Sequence, residues 1–111
     1  MLRTMLKAKM KGLRITATSL HYEGSIGLDK AYLDRSGILP NEAVDVLNAA
    51  NGARFRTYVI EMPEGTGGVE LYGPAARLGE VGDEIVVLSY ALYGDDEIGT
   101  HIPTVVDIGV C

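Results

Sequence analysis

The pair Asn51-Gly52 stands between two segments that have the residue pattern of β-strands, residues 43–49 and residues 53–62. A two-residue turn of type I′ requires positive φ at both central positions, and Asn-Gly is the pair that tolerates this best. The pair is the strongest hairpin signal in the chain. It predicts two antiparallel strands joined by a type I′ turn.

Other short segments also have strand patterns. Leu6, Ala8 and Met10 alternate with lysines, which is the period of a half-buried strand, and Gly12 interrupts the pattern. The remaining predicted strands are residues 13–18, 69–72, 84–93 and 104–108, of which 84–93 is the most apolar and is expected to be the most buried. About six short strands with little helix predict an all-β fold. A closed barrel is favoured because closure removes exposed edges.

The segments between the strands have recognisable turn and helix signals. Asp29 is expected to cap a short helix that ends at Gly37. Residues 63–68, with three glycines, predict an exposed loop, residues 75–78 a coil or helical turn, and residues 94–97 a charged loop. No internal repeat or linker divides the chain, so residues 1–111 are expected to form one domain.

Composition limits the classes of function. The chain has 47% hydrophobic residues but no Trp and a single Phe, so we expect oligomer formation to bury further surface. A net charge of -5 argues against nucleic-acid binding. No signal peptide or membrane-spanning run is apparent, and the lone Cys111 fits a reducing cytoplasm and no catalytic role. No metal is expected, because His21, His101 and Cys111 do not form a ligand cluster.

The Gly24-Ser25 bond is a candidate site of self-cleavage. The Ser25 hydroxyl can attack the preceding carbonyl carbon, because Gly24 has no side chain in the way, and the amide becomes an ester. Loss of the Ser25 α-proton with β-elimination then leaves dehydroalanine, and hydrolysis gives a pyruvoyl group. That group can form a Schiff base with an amine substrate and accept electrons from it. Taken alone, a Gly-Ser pair more often marks an ordinary turn.

Basic side chains could receive an acidic small molecule despite the negative net charge. In strand period, Arg54, Arg56, Tyr58 and Ile60 share one face, whereas Thr57 points to the other unless a bulge or strong local twist turns it. The planar fork of Arg54 suits a carboxylate. By pattern alone, a surface ion pair for Arg54 and a packed aromatic ring for Tyr58 are the more common roles.

A resemblance that extends over nearly the whole chain changes this balance. The segments that carry it are Arg3-Thr4-Met5, Lys9, His21-Tyr22-Glu23-Gly24-Ser25, Gly37-Ile38-Leu39-Pro40, Asn51-Gly52-Ala53-Arg54-Phe55, Thr57-Tyr58, Gly73 with Ala75, and Val81-Gly82-Asp83. In order and spacing they resemble the pyruvoyl-dependent aspartate 1-decarboxylases. The resemblance implies a six-stranded double-psi β-barrel with one or two short helices, assembled as a homotetramer with active sites between subunits.

The resemblance also implies the chemistry and the residues that perform it. The chain would cut itself into residues 1–24 and 25–111, and the pyruvoyl group formed from Ser25, without pyridoxal phosphate or metal, would convert L-aspartate to β-alanine and CO2 for pantothenate synthesis. Tyr58 would be the proton donor. Thr57 would assist cleavage and line the substrate site. Lys9 and Arg54 would hold the two carboxylates, with Tyr22, Gly73, Pro74 and Ala75 completing the substrate site.

One segment departs from the family pattern. Where the family typically has Asn-Gly-Ala-Ala-Ala, this chain has Tyr72-Gly73-Pro74-Ala75-Ala76, and Pro74 has no N–H to donate. Many relatives also extend beyond the final strand, whereas this sequence stops at Cys111, so no function of such a tail is expected. Two alternatives therefore stay open: a barrel that only binds a small acidic ligand, and a structural oligomer in which Gly24-Ser25 is merely a turn.

Overall fold

A computed structural model describes residues 1–109 of the chain. The described part consists mainly of β-strands. In chain order the elements are β1 (Leu2–Arg14), β2 (Ala17–Ser19), β3 (Ser25–Asp29), α1 (Lys30–Ser36), β4 (Ala43–Asn48), β5 (Arg54–Met62), β6 (Val69–Tyr72), a 3₁₀ helix (Gly73–Leu78), β7 (Glu84–Gly94), α2 (Asp95–Ile98) and β8 (Thr104–Asp107). Cys111, which was expected to have no catalytic role, lies outside the described residues.

The strands form one mixed sheet in the order β2-β6-β3-β5-β4-β7-β1-β8. Only β4 and β5 are neighbours in both the sheet and the chain. Three pairs are parallel, namely β1 with β8, β2 with β6 and β3 with β5, and the others are antiparallel. The all-β fold class is confirmed. The expected count of six strands is wrong for residues 1–109, which contain eight.

The two additional strands lie around the candidate cleavage site. The predicted strand over residues 13–18 is divided, because β1 ends at Arg14 and β2 covers Ala17–Ser19. The strand β3 was not predicted, and Ser25 is its first residue. All five residues of β3 are buried, so the expectation that residues 84–93 form the most buried strand is wrong. Burial on both faces removes the alternation by which a strand is usually recognised.

Gly12 does not interrupt β1 as expected. The strand continues through it, and its pairing with β7 shifts register between Met10 and Leu13. Gly12 has a φ of +74°, the conformation that a glycine adopts in a bulge. Ala8, Met10 and Leu13 all remain buried in the core. The bulge therefore keeps the apolar face of β1 directed inward from Ala8 to Leu13.

The predicted hairpin is confirmed, but its turn type is wrong. The strands β4 and β5 are antiparallel, and the Asn48 N–H donates to the Ala53 carbonyl at 2.8 Å. The loop of residues 49–52 has positive φ at Gly52 (75°) but not at Asn51. The Asn51 side chain instead accepts the Ala53 N–H at 2.8 Å, an Asx turn that supports a longer loop.

The helix prediction is confirmed at both ends of α1. The Asp29 carboxylate accepts the Ala31 N–H at 2.8 Å, and Gly37 ends the helix with a φ of 74°. The predicted loop over residues 94–97 is wrong, because α2 covers Asp95–Ile98. Three acidic residues in its first turn suit a helix N-terminus. Across residues 1–109, no helix has the length and apolar character needed to cross a membrane.

Candidate active site

The site is organised by a change of partner along β5. Its first half, Arg54 to Tyr58, pairs with β4, and its second half, Val59 to Met62, pairs with β3. The first pair between β3 and β5 is Ile26 with Val59. Residues 54–58 of β5 therefore have no pairing with β3 along the edge that faces it. This gap lies where the chain enters β3.

Ser25 and Tyr58 each stand one residue before that first pair. Because β3 and β5 are parallel, the two residues lie at the same level, and both line one cavity. Gly24 and Thr57 stand one residue earlier still, and both line a second cavity. The register thus brings the Gly24-Ser25 peptide alongside Thr57-Tyr58, as the proposed roles of all four residues require.

The other side of the same peptide is covered by the end of β6. Ser25 is paired with Tyr72, and the chain continues into Gly73 with a φ of +63°. A Cβ at Gly73 would lie 2.7 Å from the Gly24 nitrogen and against the Tyr22 carbonyl oxygen. Only glycine allows this close backbone approach. Gly73 therefore packs directly on the segment that would be cut.

Ser25 has no solvent exposure in this chain. Its hydroxyl donates to the Glu23 carbonyl at 3.3 Å, so the oxygen is directed back towards the residues that precede it. The cavity in front of it has a volume of about 540 Å³. It is lined by Ser19, Tyr22, Glu23, Ser25, Tyr58, Ile60, Glu70 and Tyr72.

A second cavity of about 310 Å³ lies on the Gly24 side. It is lined by Gly24, Phe55, Arg56, Thr57, Tyr58, Pro74, Ala75 and Leu78. Tyr58 therefore contributes to both cavities. Thr57 lines this one together with Tyr58, and the expectation that their side chains lie on opposite faces of β5 stays a prediction. At the unpaired edge of β5, successive residues can both border the same space.

Tyr22 and Tyr72 form an aromatic contact at the mouth of the larger cavity. Their ring centroids lie 5.5 Å apart at an interplanar angle of 66°, and Tyr22 is 66% exposed. The Tyr72 ring crosses Gly27, where an added Cβ would lie 3.0 Å from the phenolic oxygen. Burial and the neighbouring Glu70 carboxylate raise the pKa of Tyr72. Tyr72 thus stays protonated and covers β3.

Arg54 does not border either cavity. Its Nη2 donates to Asp45 Oδ2 and to the Tyr90 hydroxyl, each at 3.2 Å. Arg56 donates from Nε to Asp45 Oδ1 at 2.9 Å. Arg54 therefore forms the ion pair that residue pattern alone favoured, here with Asp45. Within one chain, it does not reach the cavities at Ser25.

Lys9 lies further away, on β1. It borders a third cavity of about 490 Å³, which shares no lining residue with the two cavities at Ser25. This third cavity is lined by Lys9, Lys11, Gly12, Arg14, Glu84, Val86, Asp107 and Gly109. A single chain thus brings together Ser25, Gly24, Thr57, Tyr58, Tyr22, Gly73, Pro74 and Ala75, but not Lys9 or Arg54.

The sequence analysis did not identify several residues of these sites. Glu70 borders the cavity at Ser25, and the period of a strand places it on the same face as Tyr72. Asp45 and Tyr90 hold Arg54 from β4 and β7, and only the sheet order brings them there. Among residues 1–109, no group of three His, Cys, Asp or Glu side chains is placed to hold a metal ion.

Fold and site define a class: a small all-β protein in which a Gly-Ser peptide lies between a Thr-Tyr pair and a close-packed glycine. Comparison with known proteins identifies the family. The sequence profile described as "Aspartate decarboxylase" matches residues 1–110. The chain is 51% identical to the aspartate 1-decarboxylase of Caulobacter vibrioides, covering 96% of this chain and 90% of that protein. It is 50% identical to that of Maricaulis maris, over 93% and 85% of the two chains. The chain belongs to the aspartate decarboxylase family.

Proposed function

We propose that this chain cuts itself between Gly24 and Ser25 and then decarboxylates L-aspartate at C1, giving β-alanine and CO2 for pantothenate synthesis. Membership of the aspartate decarboxylase family supports the reaction. The observation that carries the site is the enclosure of one peptide, Gly24-Ser25, between Thr57-Tyr58 and Tyr72-Gly73. The products of the cut would be residues 1–24 and 25–111.

The self-cleavage can be written with every atom accounted for. The Ser25 Oγ attacks the Gly24 carbonyl carbon, and the C–N bond breaks as the amine takes the proton, which gives an ester. The Ser25 α-proton passes to water as the Cβ–O bond breaks, which expels the Gly24 carboxylate and leaves dehydroalanine. The enamine tautomerises to an imine, water adds to the imine carbon, and ammonia leaves, which gives the pyruvoyl group. Thr57 stands level with Gly24 and can donate to the oxyanion of the tetrahedral adduct, a contribution of several kcal/mol in comparable acyl chemistry.

The surroundings of residue 25 fit a pyruvoyl group. Position 25 is fully buried, Gly73 leaves no side chain beside it, and the Tyr72 ring covers Gly27 on the same strand, while the adjoining cavity leaves room for a substrate. A pyruvoyl group would supply an electron sink for the pair left behind as CO2 departs. The group would be held covalently through its carbonyl to the nitrogen of Ile26, at the amino end of the larger fragment, with Tyr58 adjacent.

Tyr58 is the proposed proton donor. It borders the cavity at Ser25, and a phenol can donate its proton to a strongly basic carbon. Arg54 and Lys9 are proposed to bind the two carboxylates of L-aspartate, because these cations match its two negative charges.

The cations would have to come from another copy of the chain. Lys9 and Arg54 border neither cavity at Ser25, and the larger cavity is lined by two acidic residues, Glu23 and Glu70, without a basic one. We therefore propose a homo-oligomer, a tetramer on the family resemblance, with sites between subunits. A reducing cytoplasm is the proposed setting.

The decisive test is a denaturing mass spectrum of the purified protein, with Ser25→Ala as the control. Two fragments are expected whose masses sum to that of the intact chain plus one water minus one ammonia. Ordinary hydrolysis would give a sum larger by one water only. Borohydride added with L-aspartate should then attach the substrate to the larger fragment. An uncut chain without decarboxylase activity would refute the proposal and favour a barrel that only binds an acidic ligand.

A further inference from the structure

Three charged side chains meet where β4 and β5 pair. Asp45 lies opposite Arg56 in the register, and its Oδ1 accepts the Arg56 Nε at 2.9 Å. Its Oδ2 accepts the Arg54 Nη2 at 3.2 Å. The Asp45 side chain is 11% exposed, whereas those of Arg54 and Arg56 are 54% and 68% exposed. One nearly buried carboxylate is therefore shared by two arginines that reach solvent.

Both hydrogen bonds that Arg54 donates come from the same nitrogen, Nη2. Its Nη2 has two hydrogens, and these face Asp45 Oδ2 and the Tyr90 hydroxyl, both at 3.2 Å. A guanidinium can bind a carboxylate by two parallel hydrogen bonds either through Nη1 and Nη2 or through Nε and Nη2. Both arrangements use Nη2. A substrate carboxylate can therefore be held in this way only if Arg54 releases at least one of these two partners.

Release from Asp45 is possible only if that carboxylate keeps another cation. A nearly buried carboxylate without a positive partner is strongly unfavourable. Arg56 supplies this partner, since it binds the other carboxylate oxygen at the shorter distance of 2.9 Å. The bond from Arg56 is also the largest of the influences that hold the pKa of Asp45 below its ordinary value.

We propose that Arg56 is a positioning residue for substrate binding: by neutralising Asp45 it leaves the Arg54 guanidinium available to a carboxylate of the dicarboxylate substrate. The inference rests on the proposed function, because it assigns the substrate carboxylate to Arg54. Without Arg56, Asp45 would have Arg54 as its remaining cation and would retain it. Asp45 would then compete with the substrate.

The first variants measure the competition. Arg56→Gln should raise the KM for L-aspartate about tenfold and change kcat far less, because a charge pair of this kind changes binding by that order. Arg56→Lys, which keeps the charge, should stay within about threefold of the parent protein. Lys30→Gln removes the same charge from a surface pair with Asp34 on α1 and should leave KM unchanged.

The double variant separates positioning from simple stabilisation. Adding Asp45→Asn to Arg56→Gln removes the competing carboxylate, so KM should return to within about threefold of the parent value. If Arg56 only stabilised the β4–β5 hairpin, a second substitution in the same cluster would not restore KM. Thermal unfolding of each variant shows whether the fold is retained.

Succinate binding tests the same competition without any chemistry. In the uncut Ser25→Ala protein, calorimetry should show weaker succinate binding for Arg56→Gln and recovery for the double variant. If Arg54→Gln leaves succinate binding unchanged, the proposed role of Arg54 fails and this inference fails with it. If Arg54→Gln weakens binding but Arg56→Gln does not, or if Asp45→Asn gives no recovery, this inference alone is overturned.

Discussion

The region around Ser25 and the region around Arg54 are built in different ways. Around Ser25 the contacts are made by backbone register and by a glycine that packs against the peptide to be cut. Around Arg54 they are made by charge, with Asp45 and Tyr90 holding one guanidinium nitrogen. For the reactions that we propose, the first region has to hold two backbone segments close together, whereas in the second region Arg54 has to exchange one of its partners for a substrate carboxylate.

This difference separates the two reactions that we propose. The groups needed for self-cleavage meet within one chain, at the junction of β3, β5 and β6. The cations that are proposed to bind the substrate lie elsewhere in the chain: Lys9 borders the third cavity, and Arg54 is bound to Asp45. Self-cleavage can therefore depend on the fold of one chain, and substrate binding on the assembly of several.

Co-expression of two inactive variants tests this separation most strongly. Ser25→Ala retains the cations but lacks the group formed at residue 25. Arg54→Gln can form that group but lacks the Arg54 cation. If one copy supplies Ser25 and another Arg54, mixed oligomers should be at least about tenfold more active than the sum of the two variants alone. Different affinity tags allow the mixed species to be purified and assayed for β-alanine. Mixed oligomers that show no gain would place both residues in one chain's site.

Tyr58 belongs to the region around Ser25, where it borders both cavities at the cut. Tyr58→Phe should cut itself normally but decarboxylate about 100-fold more slowly, since the proton donor is lost while the enclosure remains. Mass spectrometry measures the cut and CO2 release the reaction. The matched control is Tyr93→Phe, because Tyr93 stacks on His101 at 4.1 Å, away from Ser25. Near-normal turnover of Tyr58→Phe would remove Tyr58 from the donor role.

Gly73 tests whether backbone closeness matters for cleavage. Gly73→Ala would place a methyl group against Tyr22 and Gly24, and we expect cleavage to slow at least about tenfold because the peptide is displaced. Gly52→Ala is the control, since Gly52 also has positive φ but a Cβ there would meet nothing within 4 Å. It should lose about 1–2 kcal/mol of stability and cut itself normally. Equal cleavage rates would show that the close approach is not needed.

The ends of α1 could be predicted from the sequence, whereas a strand set by distant pairing and the type of one turn could not. The cap at Asp29 and the stop at Gly37 depend on residues a few positions apart, and both predictions are confirmed. The strand β3 has no alternating pattern, because it is buried on both faces. The turn at Asn51 differs because its side chain bonds the Ala53 N–H, which leaves Asn51 without positive φ.

The candidate site shows the same limit. Residue type made Ser25, Tyr58 and Arg54 possible site residues, and the family resemblance favoured that role over an ordinary turn, a packed ring and a surface ion pair. The position of Thr57 depends on where β5 exchanges β4 for β3 as its partner, and no local pattern contains that information. A local pattern also does not indicate that Asp45 binds Arg54, because this ion pair depends on the register between β4 and β5.

The other end of β3 shows what anchors the strand that begins at Ser25. The Asp29 carboxylate accepts N–H groups from Ala31, Gly65 and Gly67 at 2.8–3.2 Å. Burial alone would raise the pKa of Asp29, but these bonds outweigh it and lower the pKa below its ordinary value. Asp29→Asn should therefore cost about 1–2 kcal/mol of stability at neutral pH, measured by urea unfolding.

The stabilisation that Asp29 provides should depend on pH in a direction set by its lowered pKa. Because the folded-state pKa is lowered, the stabilisation from Asp29 is present above its unfolded pKa of about 3.9 and is lost as the pH falls through the lower folded value. The Asp29→Asn protein should lose less stability than the parent over that acid range. Asp34→Asn, at an exposed carboxylate paired with Lys30, is the control and should change stability far less at neutral pH. If both variants behave alike, Asp29 does not anchor β3. If Asp29→Asn also leaves cleavage unchanged, the position of Ser25 depends on Gly73 and β5 rather than on this anchor.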